Sequence, residues 1–134
     1  MTQSNFNKAV AFIAEAAWRK AEKHYARSFT RWPIEWAFKG RTAGTAHLDE
    51  QRITLSVEIA MQNQVRFLGR TVPHEIAHAI EWQLWRTAGH GERWQSIMAA
   101  LGVADNSPTH DYDVSSVRPK KITSRWQYKL SNFQ

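Results

Sequence analysis

The chain begins with an amphipathic stripe. Phe6, Val10, Ile13, Ala17, Ala21 and Tyr25 recur at three- and four-residue steps, the period of a helix with one buried face. Ser4 stands where such a helix needs its N-cap. The stretch RWPIEWAFKG breaks the rhythm: Pro33 ends helical options and Gly40 turns the chain, leaving a short extended segment. GTAHLDEQRITLS then reads as a β-hairpin, with Asp49 to Arg52 as the turn between two strands. Helical spacing resumes after Ser56, at Val57, Met61, Val65 and Leu68, and Gly69 is placed to stop it. A second helix in this region starts near Thr71, which can cap, with Pro73 in its first turn, and runs to about Thr87. After AGHG, the run ERWQSIMAALG predicts one more helix, closed by Gly102.

This pattern shows no repeat, no low-complexity tract and no linker. It predicts one α+β domain over residues 1–134, in which residues from about 114 onward form a basic C-terminal tail. With 134 residues, 43% of them hydrophobic, the chain is long enough for one modest core. Its seven tryptophans are better explained as core than as stacking platforms for bases. The cysteine count is zero, which excludes disulfides, thiolate zinc sites and cysteine nucleophiles. Any metal must therefore be held by His, Asp or Glu. No apolar run approaches the ~18 residues of a membrane span. Glu15 interrupts the N-terminal apolar stretch, so a cytoplasmic location is expected, without a secretory signal or a membrane partner. A net charge of +6 and a pI near 10.0 make nucleic acid a candidate partner, although a basic surface also serves plain solubility.

The chemistry is concentrated in TVPHEIAHAI, residues 71–80. Side chains four apart on a helix lie one turn above each other, so His74 and His78 can converge on one ion. Glu75 lies beside that face, where it can serve as general base instead of ligand. Chance alone places H-E-x-x-H in a chain this long roughly once in a hundred. Moreover, Ile76, Ala77, Ala79, Ile80 and Trp82 make the helix apolar, and histidines buried in it need polar satisfaction. A catalytic zinc usually takes three protein ligands. Glu81 lies two turns from His74, too far to complete the set, and reads as a supporting or solvated carboxylate. His90, between Gly89 and Gly91, is the best candidate for the third ligand. Its rivals are Glu92, His110, Asp111, Asp113 and His47.

TVPHEIAHAIEWQLWRTAGHGERWQSIMAALGV resembles the SprT-like zinc metalloprotease family, the SprT and Spartan protease domain. The likeness rests on His74, Glu75 and His78, followed by His90, Gly91 and Trp94. It extends upstream over GRTAGTAHLDEQRITLS and downstream to PTHDY, about residues 30 to 115 in all. The resemblance implies a compact zincin-like domain, with a small antiparallel sheet packed on helices and H-E-x-x-H on the central one. It implies one Zn2+ per chain on His74, His78 and His90, with Glu75 as catalytic base and acid in peptide-bond hydrolysis. DNA-associated or DNA-crosslinked proteins are the implied substrates. His110 matches a family position open to oxyanion, supporting or purely structural roles, and Tyr112 is a weaker oxyanion candidate. By analogy with zincins, the strand from Thr45 to Leu48 would edge the cleft and His47 would be incidental.

One departure from the family's pattern matters. Its members often continue into a cysteine zinc ribbon, whereas this sequence has no cysteine. What it offers instead is Arg118, Lys120, Lys121, Arg125 and Lys129, a basic segment suited to sequence-independent DNA binding. A reading of a different class is a DNA-binding or adaptor domain that keeps zinc as a structural staple. Glu75 argues for the enzyme, because a structural site has no use for a carboxylate beside a water.

Overall fold

The computed structural model describes residues 1–37, 40–115 and 117. Helix α1 (Gln3–Tyr25) buries Phe6, Val10, Ala14, Ala17, Trp18 and Ala21, close to the predicted stripe. Ile13 and Tyr25 pack at the border of the core. Its cap is Thr2, not Ser4: the Asn5 amide donates to Thr2 Oγ1 at 3.1 Å. The cations that follow are tied down, with Arg31 bound to both Glu15 and Glu22. Phe29, Trp32 and Trp18 are buried, so the aromatics of this segment are core.

Three short strands follow, β1 (Ile34–Ala37), β2 (Gly44–His47) and β3 (Arg52–Ser56). They form one sheet in the order β1-β3-β2. The hairpin is present, with His47 opposite Arg52 across a turn in which Gln51 takes a left-handed φ of 54°. The sheet as a whole is mixed and not antiparallel as expected, because β1 runs parallel to β3, Ile34 opposite Ile53 and Trp36 opposite Leu55. Central β3 is buried from Ile53 to Ser56, so both of its faces are covered.

Ser56 caps α2 (Val57–Gln62), its hydroxyl oxygen accepting from the Ile59 amide. The chain continues through α3 (Gln64–Arg66) and a π-helical turn (Phe67–Thr71) directly into α4 (Val72–Trp85). Gly69 therefore does not stop a helix, and Thr71, itself helical at φ −68° and ψ −41°, does not cap one. Its hydroxyl is 2.7 Å from the Tyr112 hydroxyl instead. The wide π turn, a feature frequent near functional sites, joins two predicted helices into one path. Helix α4 packs against α1, β2 and α5 (Glu92–Ala100), and is buried almost continuously from Val72 to Glu81. Gly102 ends α5 with a φ of 80°. Beyond it the chain returns over the core, where Tyr112 and Val117 are buried. No helix among the described residues is long and apolar enough to cross a membrane.

Candidate metal centre

His74 and His78 project from consecutive turns of α4, and the loop after Arg86 carries His90 back to them. Their Nε2 atoms lie 3.2 Å (His74–His78), 3.1 Å (His78–His90) and 3.2 Å (His74–His90) apart. Among the described residues this is the group able to hold a metal ion. The geometry fits one. Three nitrogens on a tetrahedral zinc at about 2.0–2.1 Å are separated by roughly 3.3–3.4 Å, close to the spacing observed. Without an ion, three converging rings press either their hydrogens or their lone pairs together; a cation accepting all three lone pairs removes both conflicts.

The rings are also in the right protonation state. Burial, reinforced by His78 and His90, pushes the pKa of His74 down to about 3. Burial and the neighbouring His90 push His78 down to about 4. Burial lowers His90 as well, against the opposing charge of Glu81. At neutral pH all three offer lone pairs without competition from protons.

Trp94 is the platform beneath them. Its ring stacks near His78 at 5.6 Å and meets His74 and His90 edge-on at 4.7 Å each. Its indole N–H donates to the His74 carbonyl at 3.3 Å. The spacing His-Gly-x-x-Trp carried this signal in the sequence: Gly91 turns the chain into α5, whose first turn presents Trp94 under the loop.

Glu75 is 5% exposed, and its Oε2 lies 3.9 Å from His74 Nε2, beyond a hydrogen bond. The carboxylate borders a cleft of about 300 Å³. Arg41, Thr42, Ala43 and Gly44 form one wall, Arg70, Thr71, His74 and Glu75 the second, and Pro108, Thr109 and His110 the third. From β2 it is Gly44 that reaches the cleft, not the stretch from Thr45 to Leu48. His47 instead contacts Thr54 Oγ1 across the hairpin at 2.9 Å.

The other ligand candidates are engaged elsewhere. Asp111 pairs with Arg66, Asp113 accepts from the Ser115 amide, and Glu92 begins α5 on the surface. His110 Nδ1 accepts from the Tyr112 amide at 3.1 Å, so its proton sits on Nε2 and is donated to the Arg41 carbonyl at 2.9 Å. Tyr112 donates its hydroxyl proton to the Arg66 carbonyl at 3.2 Å and accepts from Thr71. Both residues fasten the third wall, and neither offers a free donor to the cleft.

Sequence reading missed Arg70, which is 7% exposed. It donates to the carbonyls of Ser107, at 2.8 Å, and Thr109, and pairs with Asp105 at 3.1 Å. Its position one turn before His74 was the available signal.

A single-chain α+β fold with two histidines on its central helix and a third on the loop that follows is the setting in which relatives were found. Residues 14–113 match the model of the SprT-like family, and the chain belongs to that family. Protein SprT of Shewanella oneidensis is 37% identical over 112 residues, covering 83% of this chain and 72% of the relative. Protein SprT of Pseudomonas aeruginosa is 37% identical over 117 residues, covering 86% and 68%. Protein SprT of Pseudomonas putida is 33% identical over 117 residues, covering 86% and 69%. No solved structure matches the chain.

Proposed function

We propose that this chain is a zinc-dependent metalloendopeptidase of zincin-like build. The observation that carries the reading is the convergence of three neutral imidazoles beside a buried carboxylate at the wall of an open cleft. His74, His78 and His90 would hold the ion, which when bound polarises a carbonyl and acidifies water. Glu75 takes the proton from the attacking water and delivers it to the leaving amine, one carboxylate acting as base and then as acid. Its 3.9 Å separation from His74 Nε2 suits this work, close to where the histidines would hold an ion but outside the ligand set. An extended substrate would lie along the wall at Gly44, where β2 is the edge strand of the sheet and can accept backbone pairing. Proteins associated with or crosslinked to DNA are the substrates the family likeness favours.

The test is metal analysis of purified protein together with a protein-cleavage assay. One zinc per chain is expected, lost on His90→Ala. Glu75→Gln should keep the metal and the fold but lose cleavage by about 10²–10⁴-fold or more. A glutamine variant as active as the parent would rule out this mechanism. Zinc without cleavage in any form would make the site a structural staple in a binding domain.

A further inference from the structure

The loop that presents His90 leaves α4 at Arg86 and is fastened to that helix by a buried carboxylate. Glu81, only 3% exposed, accepts through Oε2 from the Thr87 hydroxyl at 2.6 Å. Arg93 reaches the same hydroxyl at 3.5 Å. The other oxygen, Oε1, is buried without a hydrogen-bond partner among the described residues. An acceptor left so costs about 1–3 kcal/mol, more when charged. A donor of the right kind is close by in the chain. His90 turns Nε2 toward His74 and His78, so a neutral ring that gives this nitrogen to an ion would carry its proton on Nδ1. No described residue accepts that proton. Glu81 follows His78 by one turn of α4, and His78 Nε2 is 3.1 Å from His90 Nε2, so the carboxylate and the third histidine meet on one side of the helix.

We propose that Glu81 is the positioning residue for His90: Oε2 pins the loop through Thr87, and Oε1 accepts His90 Nδ1–H when the three histidines hold a metal ion. The proposal rests on the metal-site reading above. A carboxylate in this place fixes the ring's orientation and tautomer and raises the basicity of the ligand nitrogen. Removing such a partner typically costs about 10–100-fold in metal affinity. It also accounts for a buried charge that the hydrolytic chemistry itself does not use.

The test is the zinc dissociation constant of the full chain, measured by chelator competition for the parent, Glu81→Gln and Thr87→Val. Glutamine fills the same space and can still bond Thr87, but it carries no charge. Glu81→Gln should weaken zinc by about tenfold or more, with the melting temperature of the metal-free protein unchanged or raised. Thr87→Val should weaken zinc less, because it removes the pin and keeps the acceptor. A Glu81→Gln affinity within twofold of the parent overturns the proposal and leaves the metal site standing. A parent that binds no zinc overturns both. Should Glu81→Gln not fold, the zinc-loaded parent with ¹⁵N-labelled histidine decides. A downfield, slowly exchanging Nδ1–H resonance assigned to the His90 ring by through-bond correlation supports the proposal; rapid exchange of the His90 Nδ1 proton with water overturns it.

Discussion

Gly44 lies so close to Glu75 that a Cβ at position 44 would sit 3.1 Å from Glu75 Cγ and 3.2 Å from Oε2. The same atom would meet Leu55 Cδ2 at 3.0 Å. The glycine is there for clearance, since its φ is not in the left-handed region. Strand β2 thus presses its backbone against the carboxylate assigned to proton transfer.

Gly44→Ala should therefore displace Glu75 by a few tenths of an ångström and leave the histidines alone. A misplacement of about 1 Å can cost about 100-fold, so a shift of a few tenths lowers turnover by up to roughly tenfold. The expected outcome is a loss in kcat with zinc content equal to the parent. Full activity in the alanine variant would mean that Glu75 tolerates the shift and that its position is not critical.

Acid should destabilise the metal-free protein through His74 and His78. Their folded pKa values, about 3 and about 4, lie below the 6.5 of an ordinary histidine. As pH falls below about 6.5, the unfolded chain takes up protons that the folded chain refuses, so stability falls with pH. Above that value neither state is protonated there and the effect vanishes. With two such groups the slope approaches about 2.7 kcal/mol per pH unit only near pH 5, midway between the unfolded and folded values. Urea unfolding of the zinc-free protein at pH 7, 6 and 5 measures it, and a His74→Gln, His78→Gln variant should show a flatter profile. A parent whose stability is level across this range would contradict neutral buried histidines.

The third wall of the cleft hangs on Arg70. Replacing it with alanine leaves the Ser107 and Thr109 carbonyls without their charged donor, at a cost of about 2–3 kcal/mol. The pair with Asp105 adds little, because that carboxylate is half exposed. His110→Ala removes two weaker bonds, so it should cost about 1 kcal/mol and change kcat modestly. Denaturant titration and steady-state kinetics of the two variants check both statements. A His110→Ala variant that folds and binds zinc but loses turnover by three orders of magnitude would return this histidine to the chemistry.

Local periodicity made much of this architecture legible. The stripe of α1, the hairpin and α5 follow from spacings of 3.6 and 2 that neighbouring residues impose on each other. The histidine pair is legible for the same reason, being a property of one helix. The pairing of Ile34 with Ile53 was not, because a four-residue strand carries no mark of which way its distant partner runs. Nor was the π turn: Val65 and Leu68 keep helical spacing whether the backbone closes four-residue or five-residue bonds. Glu81 reads as the polar end of an amphipathic helix, and only the loop folded over it shows that it is buried. Gly44 and Arg70 act across elements, and such closeness leaves no local trace.

The basic residues Arg118, Lys120, Lys121, Arg125 and Lys129, which lie outside the described residues, are where DNA binding is expected. A peptidase cleft of the kind proposed would need confinement to its targets, and a cationic segment can supply it by holding DNA. Neutralising four or five phosphates gives a log–log salt slope of roughly −4. Contacts of this kind read the backbone and not the bases, so affinity should not depend on sequence. The decisive comparison is the full chain against one ending at Val117. That residue must stay, because it is 4% exposed in the core and its amide donates to the Val114 carbonyl at 3.0 Å. Affinity for single- and double-stranded DNA at two salt concentrations should fall sharply on shortening, with zinc content unchanged. If both chains bind equally, the contact moves to the exposed cations of α1, Lys8, Lys20 and Lys23. If neither binds at low salt, DNA is not the partner of this chain.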